Sequence, residues 1–211
     1  MPLACILFLD NSRRREYNIA IMKNSKNINR NKGMPKGIPV RVSITSQIRD
    51  LTPDEDDMDM PPGFDGEEQA PDVEVIEYKT DGVLSDDGET VSLTYSEVEE
   101  LGFEQSSTTL SFSRKKPGTV TMVRTGSGAT ACRFSEDERR QHCIYNTGYM
   151  PIELIINTHT VENEYKNQSG RIALDYTVEL RGLTTERNRL EIDYKPIAER
   201  ASELSDAPLE L

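Results

Sequence analysis

The sequence predicts an all-β domain, an antiparallel up-and-down barrel of about 8–10 strands, and three observations carry that prediction. Apolar residues recur with period two along run after run. Turn-forming residues separate the runs at short intervals, and no long helical pattern alternates with them. Period two places alternate side chains on one face of a strand, so each run reads as a wall with one buried side. The missing crossover helices exclude a parallel α/β sheet. A meander this long removes its exposed edges by closing on itself, and a two-sheet sandwich is the alternative.

The first run sets the pattern: Ile38, Val40, Val42, Ile44 and Ile48 alternate with Arg41, Ser43, Thr45, Gln47 and Arg49. The segment from Val73 to Leu84 changes phase between Val75 and Ile76, which predicts a bulge. Alternation returns in Val91–Leu93–Tyr95, Leu110–Phe112, Val120–Met122–Arg124 and Ile152–Leu154–Ile156. It closes the chain in Ile172–Leu174–Tyr176–Val178–Leu180 and Leu190–Ile192–Tyr194, with weaker strands at Ala129–Phe134 and Gln141–Thr147. Ser85-Asp86-Asp87-Gly88, Lys115-Lys116-Pro117-Gly118, Gly126-Ser127-Gly128 and the polar run Ser135–Arg140 supply hairpin turns. Helical character is confined to Ser96–Leu101 and to the tail Ile197–Leu204, where Ile197, Ala201 and Leu204 share a face.

Charge divides the 211 residues into regions. Residues 1–37 carry eight Lys and Arg against Asp10 and Glu16, and they read as a basic disordered tail. Met34 is an alternative start, since strand periodicity begins only at Ile38. The apolar run Leu3–Leu9 is followed, not preceded, by its basic cluster, the wrong order for a signal peptide. Residues 38–196 form the barrel domain. An insertion at 52–72 holds nine acidic residues, no base and four prolines, so it reads as a disordered acidic loop hanging from one barrel mouth. Residues 197–211 are a short C-terminal helix and tail. The net charge of −12 opposes nucleic-acid binding, which rests on excess Lys and Arg. No apolar run approaches the roughly 20 residues of a spanning helix, so the expectation is an acidic cytoplasmic protein.

Several segments, taken in order, resemble the YwiB-like family of bacterial calycin-type barrels, a domain of unknown function. They are Ile38-Pro-Val-Arg-Val-Ser-Ile-Thr-Ser46, Gly82–Leu84, Leu93-Thr94-Tyr95 and Gly118-Thr-Val-Thr-Met-Val-Arg-Thr-Gly126. Tyr145-Asn-Thr-Gly148, Pro151-Ile-Glu-Leu154 and Gly170–Leu180 continue the series. The resemblance spans residues 38–195 and implies a lipocalin-like antiparallel barrel of intracellular bacterial proteins. It carries no catalytic mechanism. The basic tail, the acidic insertion and the C-terminal helix depart from the family pattern.

Chemical motifs are few. His142 beside Cys143, with Cys132 nearby, invites a zinc reading. A symmetric hairpin over Ser135–Arg140 would oppose Cys132 and Cys143 on one face and turn His142 to the other, so no metal is expected and the cysteines read as buried free thiols. Arg124-Thr-Gly-Ser-Gly128 leads into a strand, unlike the phosphate loop that opens a helix. The acidic insertion lacks the spaced ligands and central glycine of an EF-hand loop. Asn167-Gln-Ser169 is a glycosylation sequon that acts only in an exported chain.

The inward face is more informative. Arg124 is in phase with Val120 and Met122, while Tyr95, Tyr176 and Tyr194 are in phase with aliphatic residues and Tyr145 with Cys143. A buried guanidinium needs partners. Either Arg124 caps the barrel mouth with tyrosine hydroxyls and carbonyls, or it meets the carboxylate or phosphate of a ligand lying among Tyr95, Tyr145, Tyr176 and Tyr194. The leading expectation is therefore a barrel that binds a small, partly apolar, anionic ligand, with no cofactor. The alternative is an interaction or structural module with a filled interior. An enzyme ranks last, because no nucleophile–base pair is visible. A chain that starts at Met34 and lacks residues 52–72 is predicted to keep its stability in urea unfolding. A loss above about 2 kcal/mol would assign those regions to the core.

Overall fold

A computed structural model gives the structure of the chain, and it describes residues 37–52, 73–97, 106–126, 128–147 and 150–197. Ten strands lie among them: β1 (Ile38–Asp50), β2 (Val73–Asp86), β3 (Thr90–Ser96), β4 (Ser107–Ser113) and β5 (Lys116–Thr125), then β6 (Ala129–Ser135), β7 (Arg140–Asn146), β8 (Pro151–Lys166), β9 (Ser169–Leu180) and β10 (Leu183–Pro196). Each pairs antiparallel with the next, and β1 pairs with β10 to close the barrel. The sandwich alternative is thereby excluded. The calycin-like, up-and-down reading holds.

Period two explains the wall. Val40, Val42, Ile44 and Ile48 of β1 are buried, while Arg41, Gln47 and Arg49 face out. The interior is filled from all ten strands, with Leu84, Leu93, Leu110, Phe134, Leu154, Ile156, Leu174 and Ile192 among the fully enclosed side chains. Each such side chain contributes roughly 1.5–3 kcal/mol by leaving water. The upper end of the barrel collects the β1–β2, β3–β4, β5–β6, β7–β8 and β9–β10 connections, because the strands alternate up and down. Two-residue turns occur at both ends, Arg181 and Gly182 above and Asn167 and Gln168 below. Asn167 and Gln168 between β8 and β9 both adopt the left-handed conformation, at φ 51° and 65°, as a two-residue hairpin requires.

Two expectations need correction. The phase change near Val75 is not a bulge: β2 pairs with β1 in unbroken register from Arg49↔Val73 to Ile38↔Leu84. Val73 and Val75 are apolar residues on the outer wall, 40% and 54% exposed, so they mimic a slip of phase. The real irregularities lie at Phe112/Ser113, Thr158/Thr160 and Thr184/Glu186. The helical reading of Ser96–Leu101 also fails at its start. Ser96 ends β3, and the Glu97 N–H donates to the Ser106 carbonyl at 3.0 Å, which carries the ladder one step further. Ile197 likewise extends a strand contact, donating to the Pro39 carbonyl at 3.0 Å. The basic tail, the acidic insertion from residue 53 to 72, residues 98–105 and the C-terminal helix from residue 198 on lie outside the described residues. The insertion point, between β1 and β2, is where the sequence placed it.

Candidate functional site inside the barrel

One cross-strand row crosses six strands on the inner face: Gly82, Tyr95, Thr108, Arg124, Thr130 and Tyr145. Directly opposed residues bring their side chains together, so the row is a band of contacts. Gly82 makes the room beside Tyr95. A Cβ there would stand 2.8 Å from the Thr94 carbonyl and 3.0 Å from the Val42 side chain. Arg124 lies inside, 2% exposed, as its phase on β5 predicts.

Its partner is a residue that the sequence reading passed over. The Arg124 Nη2 donates to Glu97 Oε1 at 3.2 Å, and both side chains are shut off from solvent. Thr108 donates to the same oxygen at 2.6 Å, and Tyr78 donates to the other carboxylate oxygen at 2.8 Å. Arg124 Nε lies 3.5 Å from the Thr108 hydroxyl. Two charges removed from water offset one another only when the remaining lone pairs are also satisfied, and these contacts meet that condition. Burial pushes the Tyr78 and Tyr95 hydroxyls well above the ordinary phenol pKa, and Glu97 adds to the rise. Both stay neutral hydrogen-bond donors. The group is a closed, electrically neutral plug, so it offers an incoming anion no excess positive charge.

A second polar group occupies the same interior beneath β1, β8, β9 and β10. Thr158 opposes Tyr176, Tyr176 opposes Asn188, and Asn188 opposes Ile48. Glu186 sits two residues before Asn188 on the same face, and Ser46 two residues before Ile48. All five polar residues are at most 1% exposed. The hydroxyls of Ser46, Thr158 and Tyr176, both oxygens of Glu186 and both amide atoms of Asn188 have no hydrogen-bond partner in the protein. Desolvation raises the Glu186 carboxyl pKa to about 8, with smaller upward pushes from Asp50 and Glu74. Asn188 stands near enough to offset part of that rise, though outside hydrogen-bonding geometry.

The comparisons agree with this architecture. The family model described as a domain of unknown function, DUF1934, matches residues 65–192, more than half of the chain. The chain belongs to that family. The solved structure of the YwiB protein from Bacillus subtilis is 21% identical, covers 78% of this chain and 95% of its own, and superposes with a TM-score of 0.58. At that identity the likeness shows the fold alone. No curated protein matches the chain. The family match begins after β1, yet β1 pairs on both sides and closes this barrel.

The structure thus brings Arg124, Tyr95 and Tyr145 into one row. Tyr176 joins them from across the interior. It packs on Phe134 with ring centroids 4.9 Å apart, and its hydroxyl feels Cys132, Glu186 and Arg124 electrostatically. Tyr194 does not belong with them. It opposes Gly170 beside the β8–β9 turn at the lower end, where its electrostatic neighbour is Tyr165. The register Thr130↔Tyr145, carried two residues on, opposes Cys132 to Cys143 as expected. Both are buried free thiols, and contact with Cys132, with burial second, pushes the Cys143 thiol up. His142 points outward and meets Glu153 at 3.0 Å, on the other side of the wall from the cysteines.

Reading Ser96–Leu101 as a helix hid Glu97, although Val91, Leu93, Tyr95 and Glu97 share a phase. The same extension of Leu190, Ile192 and Tyr194 backwards points Asn188 and Glu186 inward, and Ser46 sits between Ile44 and Ile48.

Glu186 makes stability depend on pH in a fixed direction. Its folded pKa, about 8, exceeds the ordinary glutamate value of 4.5, so between these the folded state holds a proton that the unfolded state has lost. Stability from this group is therefore full below about pH 4.5 and lost as pH rises through 8. Urea unfolding at pH 5, 7 and 9 should show a decline in the wild type, of order 3–5 kcal/mol from this group alone. Most of that decline should vanish in Glu186→Gln. Equal slopes in the two proteins would place Glu186 in water.

Proposed function

We propose that the domain is a small-ligand-binding barrel whose site is the buried polar cluster of Ser46, Thr158, Tyr176, Glu186 and Asn188. One observation carries the reading: seven polar atoms on four neighbouring strands lie buried in the interior with no protein partner. A buried polar group without a hydrogen bond costs roughly 1–3 kcal/mol, and native proteins fill such places with water or a bound molecule. Of the two sequence-based readings of Arg124, a cap at the barrel mouth and an anchor for an anion, the second placed the ligand there. Glu97 already neutralises that charge, so the chemistry supports a compact polar ligand on the Glu186 side instead. Two outer grooves, of about 180 and 260 Å³, are lined by none of these five residues. The first lies over Arg49, Arg187 and Arg189, and the second over Lys116, Thr121 and Arg133.

An interaction module is the second reading, favoured by an outward apolar line. Val123 opposes Ala131, whose register continues to Ile144, and Val123 and Ile144 are 37% and 63% exposed. Native mass spectrometry of protein taken from cells separates the two. A ligand barrel carries a small-molecule mass that disappears under collisional activation and is reduced in Glu186→Gln. A bare chain mass, together with co-purifying protein, supports the module.

A further inference from the structure

We infer that the buried polar cluster around Glu186 selects a small organic cation, a protonated primary amine, with Glu186 as its counter-ion; this rests on the ligand-barrel reading above. The argument starts from the inventory of donors and acceptors. Two carboxyl oxygens of Glu186, the Asn188 Oδ1 and the oxygens of Ser46, Thr158 and Tyr176 have no protein partner; the donors are the Asn188 amide nitrogen and one rotatable O–H on each of the three hydroxyls, and with Glu186 ionised the acceptor lone pairs outnumber them. Acceptors dominate. An ammonium group carries three donors and no acceptor, which is the complement of such a cluster. A carboxylate or phosphate ligand would face Glu186 as a like charge once that carboxyl is ionised, above about pH 8.

Charge points the same way. Among the described residues Glu186 has no ion-pair partner, and the one buried guanidinium of the interior, Arg124, is held by Glu97. Asp50 lies directly opposite Glu186 on β1, and Glu74 opposes Ile48 on β2, so two further carboxylates flank the cluster at its upper end. On β9 the facing residues are Val178, which is apolar, and Tyr176, whose burial keeps its hydroxyl neutral. No positive side chain faces Glu186 from these strands. Among the described residues no group of three or more His, Cys, Asp and Glu is arranged to hold a metal ion, so the acceptor set suits an ammonium head better than a divalent cation. The Tyr176 and Phe134 rings, packed together below, give an alkyl body an apolar surface.

Amine and proton compete for the same carboxylate. At neutral pH Glu186 holds its proton, and binding must displace it; above pH 8 the carboxylate is already free. Affinity for an amine that is itself still protonated should therefore rise about tenfold between pH 7 and pH 9. The test uses the full chain and three probes at equal ionic strength: methylammonium chloride, potassium chloride and acetamide. Thermal unfolding and calorimetric titration are read at pH 7 and pH 9, and the same series is run on Glu186→Gln, a neutral variant that keeps the side-chain shape. The inference expects methylammonium to raise the midpoint well above potassium or acetamide. It also expects the tenfold gain at pH 9, release of nearly one proton at pH 7, and loss of all three effects in Glu186→Gln. Equal protection by acetamide, or by potassium, overturns the amine and leaves a polar-ligand barrel standing. No protection by any probe, with a bare chain mass in the native spectrum, removes both and leaves ordered water as the occupant.

Discussion

A single buried ion pair organises the interior of this barrel. Arg124 and Glu97 sit almost fully out of water, and each makes the other tolerable. Without Glu97 an arginine on the inner face of β5 would be a misplaced charge. Without Arg124 the carboxylate at the end of β3 would be stranded among tyrosines. The desolvation of two such ions costs several kcal/mol, and only a well-bonded geometry repays it. Thr108 and Tyr78 complete that geometry by donating to the two oxygens of Glu97. β2, β3, β4 and β5 are thereby tied to one another through side chains as well as through their backbone ladders.

The consequence is an interior with two polar halves of different character. Around Arg124 every strong charge has its complement, and the row from Tyr95 to Tyr145 is occupied by the protein itself. Around Glu186 the polar groups face one another without satisfying one another. Tyr176 stands between the two, fully buried, with its ring on Phe134 and its hydroxyl unpartnered. A polar network is stabilising only when its members are satisfied. Within one barrel, the Arg124 side is satisfied by the protein's own groups and the Glu186 side is not.

Much of the fold was legible in the sequence because a strand with one buried face writes its phase directly into the chain. Ile38 to Ile48 and Ile172 to Leu180 could be read residue by residue, and the turn residues between strands fixed the meander. Arg124 followed from phase alone. The failures came where polarity or exposure broke the link between residue type and face. Val73 and Val75 are apolar but outside, which imitated a bulge. Glu97, Glu186, Asn188 and Ser46 are polar but inside, so a reading that follows apolar residues stepped over them. Tyr194 has the right phase and the wrong end: period two assigns a face, while height in a tilted barrel depends on register with neighbouring strands. The partner of Arg124 was out of reach for the same reason, being 27 residues away in sequence and two strands away in space.

The central claim is that Arg124 is spent on Glu97 rather than held ready for a ligand, and a double-mutant cycle measures it directly. The corners are wild type, Arg124→Met, Glu97→Gln and the double variant, each followed by urea unfolding at pH 7. Glu97→Gln removes the charge while keeping acceptor and shape, so the coupling isolates the ion pair. The account predicts that each single change is strongly destabilising, that the double variant loses much less than their sum, and that the coupling is about 2–3 kcal/mol. Additive losses, with a coupling below about 0.5 kcal/mol, would contradict it and return Arg124 to the role of an unpaired cation awaiting a ligand.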